Sequence, residues 1–539
     1  MKEAVIISLV VAAVIGFVAY KLLWTVAEPK IDHRLSQIGL TDNEKSANGP
    51  LPGDVGLYQK EFEACQKLAT PGYFPTLNGA EIADAQRSGV FPAATFLGSW
   101  DGANKVHAWR SEDSYESCTY IVNRKPGEIY IVGGDNPPFE GTAPAGPYIA
   151  KADGVTGKQI WRTYVDNLNA SGNWIGAANL NILPGGNIAF SWANRIVLID
   201  GDTGLILKQN NLPPGDAPAA DSNYKHLTIA PDGTLICKNQ TRPTGNKLQG
   251  TLAIIKGVEA GLKQPNSHLV AVDPNTLEIL AELALPEPAT VPHIIKHYQG
   301  KIAIYIGMDS GCRRAFWDPA AKTLTMDDSW HLGALTKGQT TACAPSIIGD
   351  WVVLQFNGLG SKVTASSVAV GHVDDASRQK IHFPFGELKE GEWSFVLPKA
   401  CANEENSMIY SADMGISKVA GIRIDPATGD MKTVFTLDNM TNTFQPTYGP
   451  KDKRVLVLTN MKKNVPKEPN NLAFFTANYT EQVTFHNAAT GEKLAESSFF
   501  EPLTPNSLVV PAFGGRCYFP TRKGFITLQV VPADAPAKQ

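Results

Sequence analysis

The sequence predicts an all-β chain folded as a β-propeller of four-stranded blades, and three observations carry that prediction. From residue 116 onward, short β-branched and aromatic runs alternate with Gly, Pro, Asp and Asn turns, without a long helical period between them. An acid-Thr-Gly turn recurs through the same region. Two further strand-like runs around a second turn precede its copies, so a unit holds four strands, the content of one blade.

The recurring turn is clearest in "KADGVTGKQIW", "VLIDGDTGLILK" and "GIRIDPATGDMKTV". Its acid stands at Asp153, Asp200, Asp273, Asp318, Asp374 or Asp375, and Asp425, with Asn487 in its place in the last copy. The copies follow one another at about 56 residues. A short acidic side chain accepts from backbone amides two residues on, and Gly supplies a positive φ before the chain returns. These acids are therefore read as turn-formers and not as catalysts.

The earlier hairpin of each unit shows in "NLNILPGGNIAFSW", "HLTIAPDGTLICKN", "HIIKHYQGKIAIYIG" and "PSIIGDWVVLQF". "SLVVPAFGGRCYFPTRKGFITLQV" supplies three strands without the acid-Thr-Gly turn, and "ANKVHAWR", residues 103–110, is expected to complete that closing blade. Residues 116–530 then divide into eight blades of about 52 residues or seven of about 59. Residues 238–266 and 461–480 lengthen the third and seventh units, and loops of that size in a compact fold tend to carry function.

The start of the chain carries a different signal. "AVIISLVVAAVIGFVAYKLLW" is apolar from Ala4 to Tyr20, with Lys21 and Trp24 placed at an interface. About 20 helical residues span a hydrocarbon layer. Residues 1–25 are read as a transmembrane signal-anchor, with a cleaved signal peptide ending at "TVA" as the other reading. Residues 26–50 form a polar linker. Within the N-terminal segment 51–115, "DVGLYQKEFEACQKLA" spaces Val55, Tyr58, Phe62 and Cys65 as one face of an amphipathic helix capped by Asp54. Residues 70–115 show no assignable pattern, and 531–539 form a C-terminal tail.

Charge and cysteine content narrow the function. The net charge of −4 and the lack of any Lys/Arg block exclude nucleic acid as a partner. No two of the seven cysteines form a C-x-x-C pair, which leaves no zinc or thioredoxin-like signature. In an exported chain the expected pairings are Cys312 with Cys343 and Cys65 with Cys118, against seven buried free thiols.

The repeat, hydrophobic-x-hydrophobic-Asp-x-x-Thr-Gly-x-x-hydrophobic, resembles that of the pyrroloquinoline-quinone (PQQ)-like propeller superfamily over residues 116–530. The resemblance implies one of two lives. Quinoprotein alcohol dehydrogenases of that superfamily use PQQ with a calcium ion, whereas the outer-membrane assembly lipoprotein presents its surface to partner proteins. The chain departs from the enzymes in having no adjacent Cys-Cys pair, no C-x-x-C-H haem site, and the repeat's closing Trp only at Trp161.

Ligand candidates follow from position. Seven residues before the first turn of successive units stand Tyr120, Asn179, His226, His293, Cys343 and Gln445, mostly polar where packing alone calls for apolar side chains. They are expected to line the axis, with His226 and His293 in neighbouring blades as a candidate metal pair. "HIIKH" places His297 in the turn after that strand. Trp393 in "GEWSF" is expected at the start of an inner strand, as an aromatic floor, and Thr504 and Asn506 enter the last blade at a similar level. "GCRR" offers paired cations at Arg313 and Arg314. No G-x-S-x-G elbow, phosphate loop or H-E-x-x-H motif is present. The resulting expectation is a single-pass membrane protein with its propeller on the periplasmic or extracellular side, binding proteins or a ligand as a scaffold. The alternative is a PQQ- or metal-dependent oxidoreductase with its site in the central funnel.

Overall fold

The computed structural model describes residues 54–534, apart from 136–145, 168–170, 172, 175–177, 334–335, 342, 397–398, 443 and 504–506. The membrane-anchor and linker assignments therefore lie outside the described residues, as do Thr504, Asn506 and residues 535–539. Among the described residues no helix is long and apolar enough to cross a membrane.

Eight sheets, each with four antiparallel strands, form the blades of a propeller, which settles the blade count at eight. Blades 1 to 8 begin with the inner strands Tyr120–Asn123, Asn179–Ile182, Ser222–Ile229, Ile294–Tyr298, Ser346–Ile348, Cys401–Asn403, Thr447–Tyr448 and Val510–Ala512. The expected closing strand is Asn104–Arg110, which pairs antiparallel along Phe525–Pro532 as the outermost strand of blade 8. The ring is thus closed by a strand from before blade 1. His297 belongs to the inner strand of blade 4 and is exposed, where the sequence reading had placed it in the turn.

The acid-Thr-Gly turns are built as expected. One carboxylate oxygen of Asp153 accepts from the Val155 and Thr156 amides at 2.9 and 2.7 Å, and Asp200 repeats this with Asp202 and Thr203 at 2.9 and 2.8 Å. The turn glycine meets a second demand. Gly204, at φ +75°, receives the Trp161 ring of blade 1, and Gly429, at φ +74°, receives Trp351 of blade 5. An aromatic side chain thereby docks each of these turns onto the preceding blade. Trp161 also donates its indole N–H to the Asp202 carbonyl at 3.0 Å.

Two faces follow from this topology. The lower face carries the turns between first and second strands. The upper face carries the loops between second and third strands and the blade-to-blade connections. The two long insertions hold helices Gly250–Glu259 and Asn470–Phe475 on the upper face. The expected amphipathic helix is Asp54–Lys67, and it lies on the lower face at blade 8. There Phe62 packs edge-on to Phe513, and the buried Glu61 carboxylate accepts from the Gly514 amide at 2.6 Å.

All seven cysteines are buried free thiols, so neither expected disulfide forms. Cys65 sits on the lower-face helix, whereas Cys118 precedes the inner strand of blade 1 at the opposite end of the disc. The Cys312 thiol faces the Arg313 carbonyl at 3.8 Å, and that of Cys343 faces the Val396 carbonyl at 3.9 Å.

Candidate functional site

The axis of the disc is closed at its lower end by the segment that showed no pattern in the sequence. From Tyr73 to Phe91 the chain crosses the inner strands as a plug. The Ile229 amide of blade 3 donates to the Tyr73 hydroxyl at 2.9 Å, and Phe74 donates to the Ile182 carbonyl of blade 2 at 3.0 Å. Asn78 bridges to blade 1, accepting from the Asn123 amide at 2.7 Å and donating to the Ile121 carbonyl at 3.0 Å. The chain then traverses the axis. Ala85 accepts from Ile295 of blade 4 at 2.8 Å, and Ser88 accepts from the Cys401 thiol of blade 6. Val90–Phe91 adds a parallel fifth strand inside blade 7, against Thr447–Tyr448. Ile82, Ala83 and Arg87 take left-handed backbone conformations in this crossing, at φ 60°, 73° and 51°. Such strain persists only where surrounding contacts over-determine it.

The upper end is covered by the insertions. Ile254 and Ala253 of the helix Gly250–Glu259 from blade 3 pack with Trp174, while Ile255 joins Phe395, Met414, Met440, Met461, Phe474 and Tyr479 of blades 6 and 7. Blades 3 and 7 stand opposite each other in a ring of eight, so this apolar cover spans the axis.

Between plug and cover lies a layer of buried polar side chains, and Tyr120, Asn179, His226 and His293 are among them. The Tyr120 hydroxyl accepts from the Leu180 amide. Asn179 donates to the Glu81 carboxylate of the plug at 2.8 Å. That same carboxylate oxygen holds Arg87 at 2.5 Å, a pair only 2% and 9% exposed. His226 and His293 are brought within electrostatic reach of each other. Among the described residues neither ring makes a hydrogen bond, although His293 faces the Ile236 carbonyl without reaching bonding geometry. Burial, then the charge of Lys238, holds both imidazoles well below their ordinary value.

Cys343 and Gln445 are buried just before the inner strands of blades 5 and 7. Trp393 does not begin an inner strand, because the inner strand of blade 6 starts at Cys401. It lies instead in the upper cover, with its ring on Gly360 and 5.6 Å from that of Phe395. Arg313 and Arg314 hold no open anion site, since they pair with Glu287 and Asp327.

Three cationic side chains, none anticipated from the sequence, lie within electrostatic reach of the histidine pair, and a fourth, Lys399, lies within reach of Arg87. Lys238 donates to the Asn239 carbonyl at 2.9 Å and to that of Ala289. Lys399 donates to the Pro345 carbonyl at 3.2 Å, and burial brings its ammonium down to about 7. Arg87 and Lys225 complete the set. Asp135, wholly buried and pushed up to about 6 by burial, already accepts from Thr119 and from the Ala178 amide at 2.7 Å.

This chemistry does not fit a divalent metal or PQQ with calcium. Calcium needs six or more oxygen ligands, but the layer's carboxylates are engaged by Arg87, Asn179 and Thr119, and ammonium groups repel a second cation. Among the described residues no three His, Cys, Asp or Glu side chains gather as a metal site.

Comparison with known proteins agrees on the fold. The structure of quinohaemoprotein alcohol dehydrogenase ADHIIG from Pseudomonas putida HK5 matches with a TM-score of 0.52 at 11% identity, over 89% of this chain and 82% of that one. Quinohaemoprotein alcohol dehydrogenase from Comamonas testosteroni gives 0.46 at 12% identity, over 90% and 84%. BamB from Moraxella catarrhalis gives 0.43 at 12% identity, over 78% and 97%. No family model and no curated relative matches the sequence. The chain has the eight-bladed fold of the quinoprotein alcohol dehydrogenase-like propellers, as its repeats implied.

Proposed function

We propose that the protein is a membrane-anchored scaffold that binds partner proteins through its upper face on the non-cytoplasmic side of the membrane. The observation that carries this reading is the closure of the axial channel from both ends by the chain itself. A catalytic propeller needs an open funnel with convergent reactive groups, whereas here the axis is spanned by the plug below and the apolar cover above.

The upper face supports the same reading. Val258, Leu262, Val363, Val465 and Leu472 are exposed on its long loops, Val363 at 74%. Exposed apolar tips gathered on one face suit protein docking. The helix Asp54–Lys67, which follows the proposed linker in the sequence, lies on the lower face. An oxidoreductase is the second reading; it rests on the shared fold alone, since the buried residues do not fit a divalent metal or PQQ with calcium.

Melting of the full chain in detergent, titrated with PQQ plus calcium and then with transition metals, separates the two. A ligand of the folded state raises stability by about 2.7 kcal/mol at a hundredfold excess over its Kd. The scaffold reading expects no shift, together with discrete in-cell adducts from a photocrosslinker at Val363 and none from one at Lys125 on the lower face. A shift abolished by His226→Ala, or equal adducts from both positions, contradicts it.

A further inference from the structure

The lower face holds a cleft of about 300 Å³. It lies where three pieces of the chain meet: the end of the helix Asp54–Lys67, the plug, and the first turn of blade 6. Leu68, Phe74, Leu77, Phe91 and Ile347 give it an apolar wall. That volume is at the lower end for small-molecule sites, which are lined mainly by apolar groups with a few polar ones that fix orientation.

The charged lining has one sign. Asp84, Glu404 and Glu405 stand around the cleft, and none of its described lining residues is Lys, Arg or His. Glu405 pairs with Arg454, outside the lining. Asp84 is fixed in place, accepting from the Gln86 amide at 2.9 Å and from the Ser88 hydroxyl at 2.6 Å, and a carboxylate keeps lone pairs for further donors. Lys399 is within electrostatic reach of Asp84 but outside the lining, with its ammonium on the Pro345 carbonyl. Glu404 is exposed, with no ion pair among the described residues, so it carries the uncompensated charge.

A second observation points the same way. Asn403 lines the cleft wholly buried, and its amide oxygen has no donor among the described residues. The Thr76 hydroxyl, also in the lining, has no partner there either. A buried acceptor without a donor is costly until one arrives. Through Cys65 and Leu68 the helix brings its C-terminal end, the negative pole of its macrodipole, to the same cleft. Negative charge and free acceptors beside an apolar wall suit a ligand that is a cationic donor at one end and apolar at the other.

We propose that this cleft binds a small organic amine, a primary ammonium carried on one compact apolar body. The ammonium faces Glu404 and Asp84, and the body lies on Phe74, Leu77 and Phe91. A cleft of this volume takes a free amine and not a folded partner. The proposal is independent of the partner-binding reading, which concerns the upper face.

Equilibrium dialysis of the full chain in detergent against radiolabelled 2-phenylethylamine, with empty micelles as the blank, is expected to show one saturable site. Neutral 2-phenylethanol and anionic phenylacetate should compete about tenfold more weakly or worse, since neither offers a charged donor. Glu404→Gln removes one exposed charge and is expected to weaken amine binding about two- to fivefold, the scale of an exposed ion pair. Ala69→Trp, at an exposed lining position, should fill the cleft and abolish the site. Uptake no greater than the blank's, competition by the alcohol or the acid equal to the amine's, or unchanged affinity in either variant overturns the proposal. Crosslinking at Val363 bears on the partner-binding reading alone, so the two can fail separately.

Discussion

Replacing Glu81 by Leu removes the only carboxylate that Arg87 touches among the described residues and leaves its guanidinium buried at 2% exposure. At a charge separation near 4 Å and an effective dielectric constant near 20, the lost attraction is about 4 kcal/mol. Breaking a buried pair from one side typically costs about 3–5 kcal/mol, because the remaining charge is uncompensated. Asn179 loses its acceptor as well. Removing both charges, in Glu81→Leu with Arg87→Met, strands neither member of the pair and is expected to recover most of that loss. Urea unfolding of the full chain, followed by tryptophan fluorescence, reads the midpoints of wild type, single and double variants. The plug is also read by limited proteolysis between residues 72 and 94, which should quicken in the single variant alone. A double variant as unstable as Glu81→Leu would refute the reasoning, because the pair would then matter for shape and not for charge.

Two further outcomes follow from the same geometry. Gly204→Ala puts a methyl 2.6 Å from the Trp161 ring at a φ of +75°, whereas Gly300→Ala has an open surrounding at φ +76°. Left-handed strain alone costs about 1–2 kcal/mol and overpacking adds about 1–3 kcal/mol, so the first variant should lose clearly more stability than the second in parallel melts. Burial pushes Glu61 up to about 7 from 4.5, so the folded chain keeps a proton that the unfolded chain releases in between. Stability from this group is present below pH 4.5 and is lost as pH rises to 7, so Glu61→Gln should gain on the wild type over that interval by roughly 1–3 kcal/mol in pH-dependent unfolding.

The blades were legible because their signals are local. Asp200, Thr203 and Gly204 make one turn among themselves, and any repeat of that turn repeats a blade. The short first hairpins explain why a seven-residue count put Tyr120, Asn179, His226 and His293 at one level. The same count could not reach Trp393, since a long connection delays the inner strand of blade 6 to Cys401. The plug was illegible for a physical reason. "LNGAEIADAQRSGV" has no periodicity because its backbone answers to partners on several blades and not to its own neighbours. Left-handed Ile82, Ala83 and Arg87 leave no mark in composition. Lys225 was passed over because strict alternation turns it away from the face that His226 occupies, and a bulge cannot be read from a single strand. The disulfide expectation failed because spacing along the chain says nothing about which end of the disc each thiol reaches.

The central claim is that the N-terminal segment is threaded into the axis, and a single cross-link tests it most directly. A Cβ built at Gly89 lies 3.9 Å from that of Cys401, within the 3.5–4.5 Å range typical of disulfides. Gly89→Cys in the full chain, mildly oxidised while folded, is expected to form that bond within one molecule, mapped by peptide mass spectrometry, and to resist plug proteolysis until reduced. Free thiols at both positions in the oxidised folded chain, or bonds formed only between molecules, would contradict a plug seated in the axis and with it the closed disc.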